Sequence, residues 1–175
     1  MKNSRASPNS FTSWHVGVAA EEFAAGLFAR CGLDVSVQYG ADQPEYDLVI
    51  ARGERMLKVS VKGSKDGSWG LTQSYLENAN YHGAIDTWLS RHKPLTIFAF
   101  VQFKGTAEDE MPRTYIATPA EVAERLKATA KGRGDTILYE KHSWGPKAVG
   151  AGSIEQIPLH WRFSAGRIKQ LFEPI

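Results

Sequence analysis

The chain has 175 residues, 42% of them hydrophobic and 23% charged, which is enough apolar material for a substantial core and excludes a fibre or a chain disordered throughout. Its formal net charge of +2 permits a nucleic-acid partner without demanding one. The single cysteine, Cys31, excludes an internal disulfide, and with no signal-peptide core or membrane-length apolar run the expected setting is cytoplasmic, away from any membrane.

Residues 1–12 read as a flexible N-terminal arm and residues 13–175 as a single domain. Ser13 is the expected N-cap of a helix over residues 14–31, with Ala20, Phe23, Ala24, Leu27 and Cys31 as its buried stripe. Gly17 and Glu21 lie one turn apart on the flank of that stripe, and Gly32 stops the helix as a C′ glycine. A strand over residues 34–38 and a polar connection over 39–44 lead to the stretch that organises the chain. Residues 46–51 and 56–62 are β-rich runs around the loop Arg52-Gly53-Glu54-Arg55, where Gly53 can take a positive φ, and together they predict a β-hairpin. Along its second strand Leu57, Val59 and Val61 point one way while Lys58, Ser60 and Lys62 point the other. Asp47 enters the first strand opposite Leu48 and Ile50, so an acid entering one strand and a lysine leaving its neighbour can meet above one sheet face.

The glycine-rich run over residues 63–70 reads either as a mobile substrate-contacting loop or as an ordinary connector. A helix is expected over residues 76–92, with Ala84, Ile85, Trp88 and Leu89 inward, then a central strand over 95–103 covered on both faces. A further strand over 113–117 precedes Thr118-Pro119-Ala120-Glu121, a capping box opening a helix that ends near 131–134. Residues 136–140 suggest another strand, 143–153 a glycine-rich loop, and Ser164 the cap of a terminal helix to Phe172. The sum is an α/β domain with a mixed sheet flanked by helices.

Glu21 on a helix flank, Asp47 at a strand start and Lys62 at the end of the paired strand stand in the order that metal-dependent phosphodiester cleavage needs. Mg²⁺ is held by one or two carboxylates with water and phosphate, and a nearby lysine can stabilise the charge that builds on the phosphorus. Taken singly, each has a plainer use: Glu21 as a solvated helix residue, Asp47 as a turn former, Lys62 as a surface cation. Arg52, Arg55, Lys58 and Lys65 cluster in sequence around the hairpin and are the candidate nucleic-acid contacts, or else solvated surface. The five histidines fall at no zinc-ligand spacing, and no glycine-rich phosphate loop is present. Trp69, Trp144 and Trp161 could stack on bases or pack in the core.

Over residues 17–103 these elements resemble the PD-(D/E)XK nuclease superfamily, the restriction-endonuclease-like fold. Gly17-Val18-Ala19-Ala20-Glu21 resembles its helix motif, Tyr46-Asp47-Leu48-Val49-Ile50 its aspartate strand, and Val59-Ser60-Val61-Lys62-Gly63-Ser64 its lysine strand. The resemblance implies an αβββαβ core with extra C-terminal strands and helices, and a Mg²⁺-dependent DNA endonuclease in which Mn²⁺ could substitute. It also implies that Glu21 and Asp47 hold the metal and that Lys62 assists the attacking water. One position departs from the pattern: Ser60 stands where Glu, Asp or Gln is expected two residues before the lysine. Glu45, two residues before Asp47, is the candidate replacement ligand, or a solvent-facing residue. The alternative is a catalytically inactive nuclease-fold module that binds DNA or a protein, and a homodimer is compatible with either.

Overall fold

The helix that opens the fold, α1, spans Ser13–Arg30 in this computed structural model, which describes residues 10–38 and 45–173. Its N-cap is Thr12, one residue earlier than expected: the Thr12 hydroxyl accepts from the His15 amide, and the His15 ring reaches back to the Thr12 amide. The buried stripe is Val16, Ala20, Ala24 and Phe28, while Phe23, Leu27 and Cys31 sit at its half-exposed margin. Gly32, at a φ of +75°, turns the chain out of the helix as expected.

Three strands follow: β1 (Asp34–Val37), β2 (Leu48–Arg52) and β3 (Arg55–Ser64). The β2–β3 turn is tighter than the sequence suggests, because Arg52 already pairs with Arg55 and only Gly53 and Glu54 bridge them, with Gly53 at a φ of +61°. The polar connection over 39–44 and most of the proposed N-terminal arm lie outside the described residues.

β3 runs to Ser64, so the glycine-rich stretch begins in strand and is stapled rather than loose. Asp66 Oδ1 accepts from the hydroxyls of Ser64 and Ser68 and from the Ser68 amide, each at 3.0 Å. A short β4 (Ser68–Gly70) follows, then a 3₁₀ turn over Gln73–Tyr75 and α2 (Tyr81–Ser90). α2 starts five residues later than expected because Asn78 and Ala79 adopt positive φ and Asn80 caps the Gly83 amide.

β5 (Thr96–Gln102) is buried at every residue, and β6 (Arg113–Ala117) pairs with it. α3 (Pro119–Ala128) opens on the Thr118–Glu121 capping box. Then come β7 (Ile137–Tyr139), β8 (Lys141–Ser143), β9 (Ile154–Gln156) and α4 (Ala165–Phe172), which Ser164 caps.

The main sheet has the order β1-β2-β3-β5-β6, antiparallel throughout except for the parallel β3–β5 pair. One apolar layer joins Leu57, Val59, Val61, Ile97 and Ala99 to α1 and α4; the other joins Phe98, Phe100 and Tyr115 to α2 and α3. The molecule is thus α/β with helices on both faces of a mixed five-stranded sheet. Small β4–β7 and β8–β9 pairs sit outside it.

Candidate active site

The site begins with a mismatch in strand length. β2 starts at Leu48, paired with Val59, whereas β3 continues five residues further. At the parting point the Asp47 amide donates to the Val59 carbonyl at 2.9 Å, and the Val61 amide donates to Asp47 Oδ2 at 2.6 Å. The carboxylate thus replaces the backbone acceptor that β2 no longer supplies. This satisfies an amide that burial would otherwise leave costly and pins the charge where the two strands diverge.

α1 is brought to the same place by Gly63. A Cβ at this position would lie 2.7 Å from the Val16 carbonyl oxygen and 2.9 Å from the Ala20 Cβ, so only glycine lets the helix sit this close on β3. Glu21 is the next residue along that helix. Lys62 precedes Gly63; its carbonyl accepts from Trp69 Nε1 at 2.9 Å, which fixes the backbone that carries the exposed ammonium.

Electrostatics links the three groups. The Glu21 carboxyl is pushed above its ordinary value of 4.5, first by burial, then by repulsion from Asp47 and Glu22, with Lys62 pulling the other way. A second ring enters the same field. His92 packs against Trp88 and Phe98 with centroids at 4.5 and 5.0 Å, and among the described residues neither of its buried ring nitrogens has a hydrogen-bond partner. Burial holds its imidazole below the ordinary value, with Glu45 opposing and Lys62 reinforcing that shift.

Glu21 thus shares an electrostatic field with Asp47 and Lys62, and the Lys62 charge reaches His92 as well. The other candidates scatter. Glu45 lines a cleft with Lys58, Arg91 and Lys93, and among the described residues no group of three or more His, Cys, Asp or Glu side chains forms a metal-binding cluster. Arg52 and Arg55 occupy the opposite end of the hairpin, packed on the C-terminal segment: Arg52 lies 5.3 Å over the Phe172 ring, and Arg55 Nη2 donates to the Glu173 carbonyl at 3.2 Å. Seven residues of strand at ~3.3 Å each put Arg55 about 23 Å from Lys62. The Lys65 ammonium donates to the Phe11 carbonyl, holding the chain that enters α1. Ser60 is only 3% exposed and, with Leu48 paired to Val59, stands across from Asp47.

Of the tryptophans, Trp69 and Trp161 are core residues, and Trp144 donates from Nε1 to Glu155 at 3.0 Å. Sequence reasoning missed His92, Arg91 and Lys93. Their signal was the run Ser-Arg-His-Lys-Pro closing α2, which carries no motif of its own.

Two partly buried carboxylates whose mutual repulsion is only partly offset by Lys62 suit a divalent cation, since Mg²⁺ is commonly held by one or two protein carboxylates with water and phosphate completing its shell. No family model matches this chain, and no curated protein is detectably similar to it.

Proposed function

We propose that the chain is a divalent-metal-dependent nuclease of the PD-(D/E)XK kind that hydrolyses DNA phosphodiester bonds. The observation that carries the reading is the joint electrostatic neighbourhood of Glu21, Asp47 and Lys62 at the point where β2 and β3 part. Helix, three strands, helix and strand in the order α1-β1-β2-β3-α2-β5 also support it, with the short β4 inserted before α2.

Asp47 and Glu21 would hold the cation. When bound, it would polarise the phosphate and lower the pKa of a coordinated water. Asp47 is braced by the Val61 amide, which keeps its carboxylate aimed. Lys62 projects an ammonium that attracts the phosphate, orients the attacking water and stabilises the negative charge that grows on the phosphoryl oxygens. The water oxygen forms a bond to phosphorus as its proton passes to solvent, the bond from phosphorus to the leaving oxygen breaks, and that oxygen takes a proton from solvent, leaving a phosphomonoester and a free hydroxyl.

Ser60 favours a second reading, a nuclease fold that binds DNA or protein without cutting, because the position that the resemblance assigns to an acid holds a buried hydroxyl. The two readings separate in one assay: the wild type, Asp47→Asn and Lys62→Ala with Mg²⁺ or Mn²⁺ on duplex, nicked, branched and single-stranded DNA. The nuclease reading expects wild-type cleavage, with Asp47→Asn losing metal dependence and cleavage. Lys62→Ala should slow the chemical step by about a hundredfold, the loss of roughly 3 kcal/mol of charge stabilisation. A wild type that cuts none of these substrates would leave the non-catalytic module, and variants that cut as well as the wild type would remove Asp47 and Lys62 from any cutting centre.

A further inference from the structure

We infer that the cleft formed by Lys58, Arg91 and Lys93 is a phosphate subsite that grips the backbone of the nucleic-acid strand beside the cutting centre; the choice of ligand rests on the nuclease reading above. The three cations come from separate parts of the chain, Lys58 from β3 and the other two from the turn after α2. They line a cleft of 260 Å³ together with Glu45, Tyr46 and Thr96. Parallel pairing of β3 with β5 creates it, since Lys58 is in register with Thr96 and its amide donates to the Leu95 carbonyl.

Among the described residues none of these cations is in an ion pair. Two of them are oriented by aromatic faces instead: the Lys58 ammonium lies 4.9 Å from the Tyr46 ring centre and the Arg91 guanidinium 5.1 Å from that of Tyr75. Three positive groups thus face one carboxylate, Glu45. The C-terminal dipole of α2 accounts for a cation at Arg91, the helix's C-cap residue, but not for Lys58, which arrives from a strand.

The cleft lies on the face of β3 that carries Lys62. Lys58 and Lys62 project from the same side of β3, four residues and so about 13 Å apart. His92, flanked in sequence by Arg91 and Lys93, feels the charges of both Glu45 in the cleft and Lys62. A row of cations from Lys62 to the cleft follows the line a polyanionic strand would take, with lysine as a point charge and arginine as a two-pronged donor to phosphate oxygens.

The test uses the full chain and fluorescently labelled duplex and single-stranded DNA. Binding is measured by anisotropy in EDTA across a salt series, so that no cleavage is required. Arg91 and Lys93 are exposed, so the double variant Arg91→Gln/Lys93→Gln should unfold at the wild-type temperature. It should bind at least tenfold more weakly at low salt, and its log–log salt slope should be shallower by about 1.4–1.8, the loss of two phosphate contacts. Lys58→Gln should behave in the same direction, and cleavage by either variant should show a raised KM more than a lowered kcat. If the wild type binds and cuts while both variants keep its affinity and slope, the cleft takes no phosphate and the nuclease reading survives. If the wild type binds without cutting and the variants lose binding, the subsite stands and the catalytic reading falls. A wild type that binds no DNA overturns both.

Discussion

Gly63→Ala should damage this protein in a diagnostic way, because one added methyl group meets the helix that carries Glu21. The new Cβ would lie 2.7 Å from the Val16 carbonyl oxygen and 2.9 Å from both Val16 Cγ1 and Ala20 Cβ, all on α1. Carbon cannot rest that close to a carbonyl oxygen, and helix backbone cannot rotate away as a side-chain tip can. α1 must therefore move by roughly half an ångström or more, at an overpacking cost of about 1–3 kcal/mol. For a chain of this size about 2 kcal/mol lowers the melting temperature by about 4–8 °C. The effect on catalysis should exceed the effect on folding, since the shifted helix takes Glu21 away from Asp47 and Lys62, and a misplacement near 1 Å can cost on the order of a hundredfold in rate. Thermal unfolding followed by circular dichroism, alongside kcat/KM on the best DNA substrate, measures both. A variant that melts and cuts like the wild type would mean that α1 is not seated on β3 at this glycine, and the argument placing Glu21 in the site would collapse.

Gly26→Ala is the matching positive case: it lies within α1 with nothing inside 4 Å of a built Cβ, so it should raise stability by about 0.5–1 kcal/mol in a denaturant titration and leave cleavage unchanged. Acid sensitivity should trace partly to Glu140. Burial would raise its carboxyl, but the bonds from Arg113 Nε at 2.7 Å and Tyr115 Oη at 2.8 Å outweigh it and hold the group below its ordinary value of 4.5. A depressed folded value means that its stabilisation is present above the unfolded value and fades as pH falls below about 5 and through the folded one. Glu140→Gln should therefore lower the melting temperature at neutral pH and flatten its decline in acid; an unchanged acid slope would remove Glu140 from the account.

Local chemistry made much of the fold readable. The Thr118 capping box, the Gly32 stop, the Ser164 cap and the β6 span each depend on a few adjacent residues, and each appears where its residues stand. What misled were features decided at a distance. The α1 stripe runs Val16, Ala20, Ala24, Phe28 because the Val16–Ala20 turn is seated over Gly63, and nothing inside the helix sequence shows that seat. Leu76-Glu77-Asn78-Ala79 has helical composition, yet two positive φ values and the Asn80 cap delay α2. Arg52 and Arg55 looked adjacent to Lys62 in sequence, but an extended hairpin puts its turn and its open end far apart. Arg91 and Lys93 were invisible for the converse reason: only the β3–β5 pairing brings their turn beside Lys58.

Asp47 serves two purposes that a single substitution can separate. As a hydrogen-bond acceptor it closes the ladder that β2 abandons, and as a charge it repels Glu21 and attracts cations. Asparagine can keep the first role, its amide oxygen accepting from the Val61 amide, while abolishing the second. Asp47→Asn should thus retain most of the stability, since a neutral bond replaces a charge-assisted one at a loss of about 1 kcal/mol. Asp47→Ala should cost more, leaving the Val61 amide unpaired at a penalty of about 1–3 kcal/mol. Removal of the Asp47 charge should also let the Glu21 carboxyl fall back toward its ordinary value, a change that carboxylate NMR titration can read without metal or substrate. If Asp47→Asn left the Glu21 titration where it was, the two carboxylates would not share a site, and the proposed metal pair would have no basis.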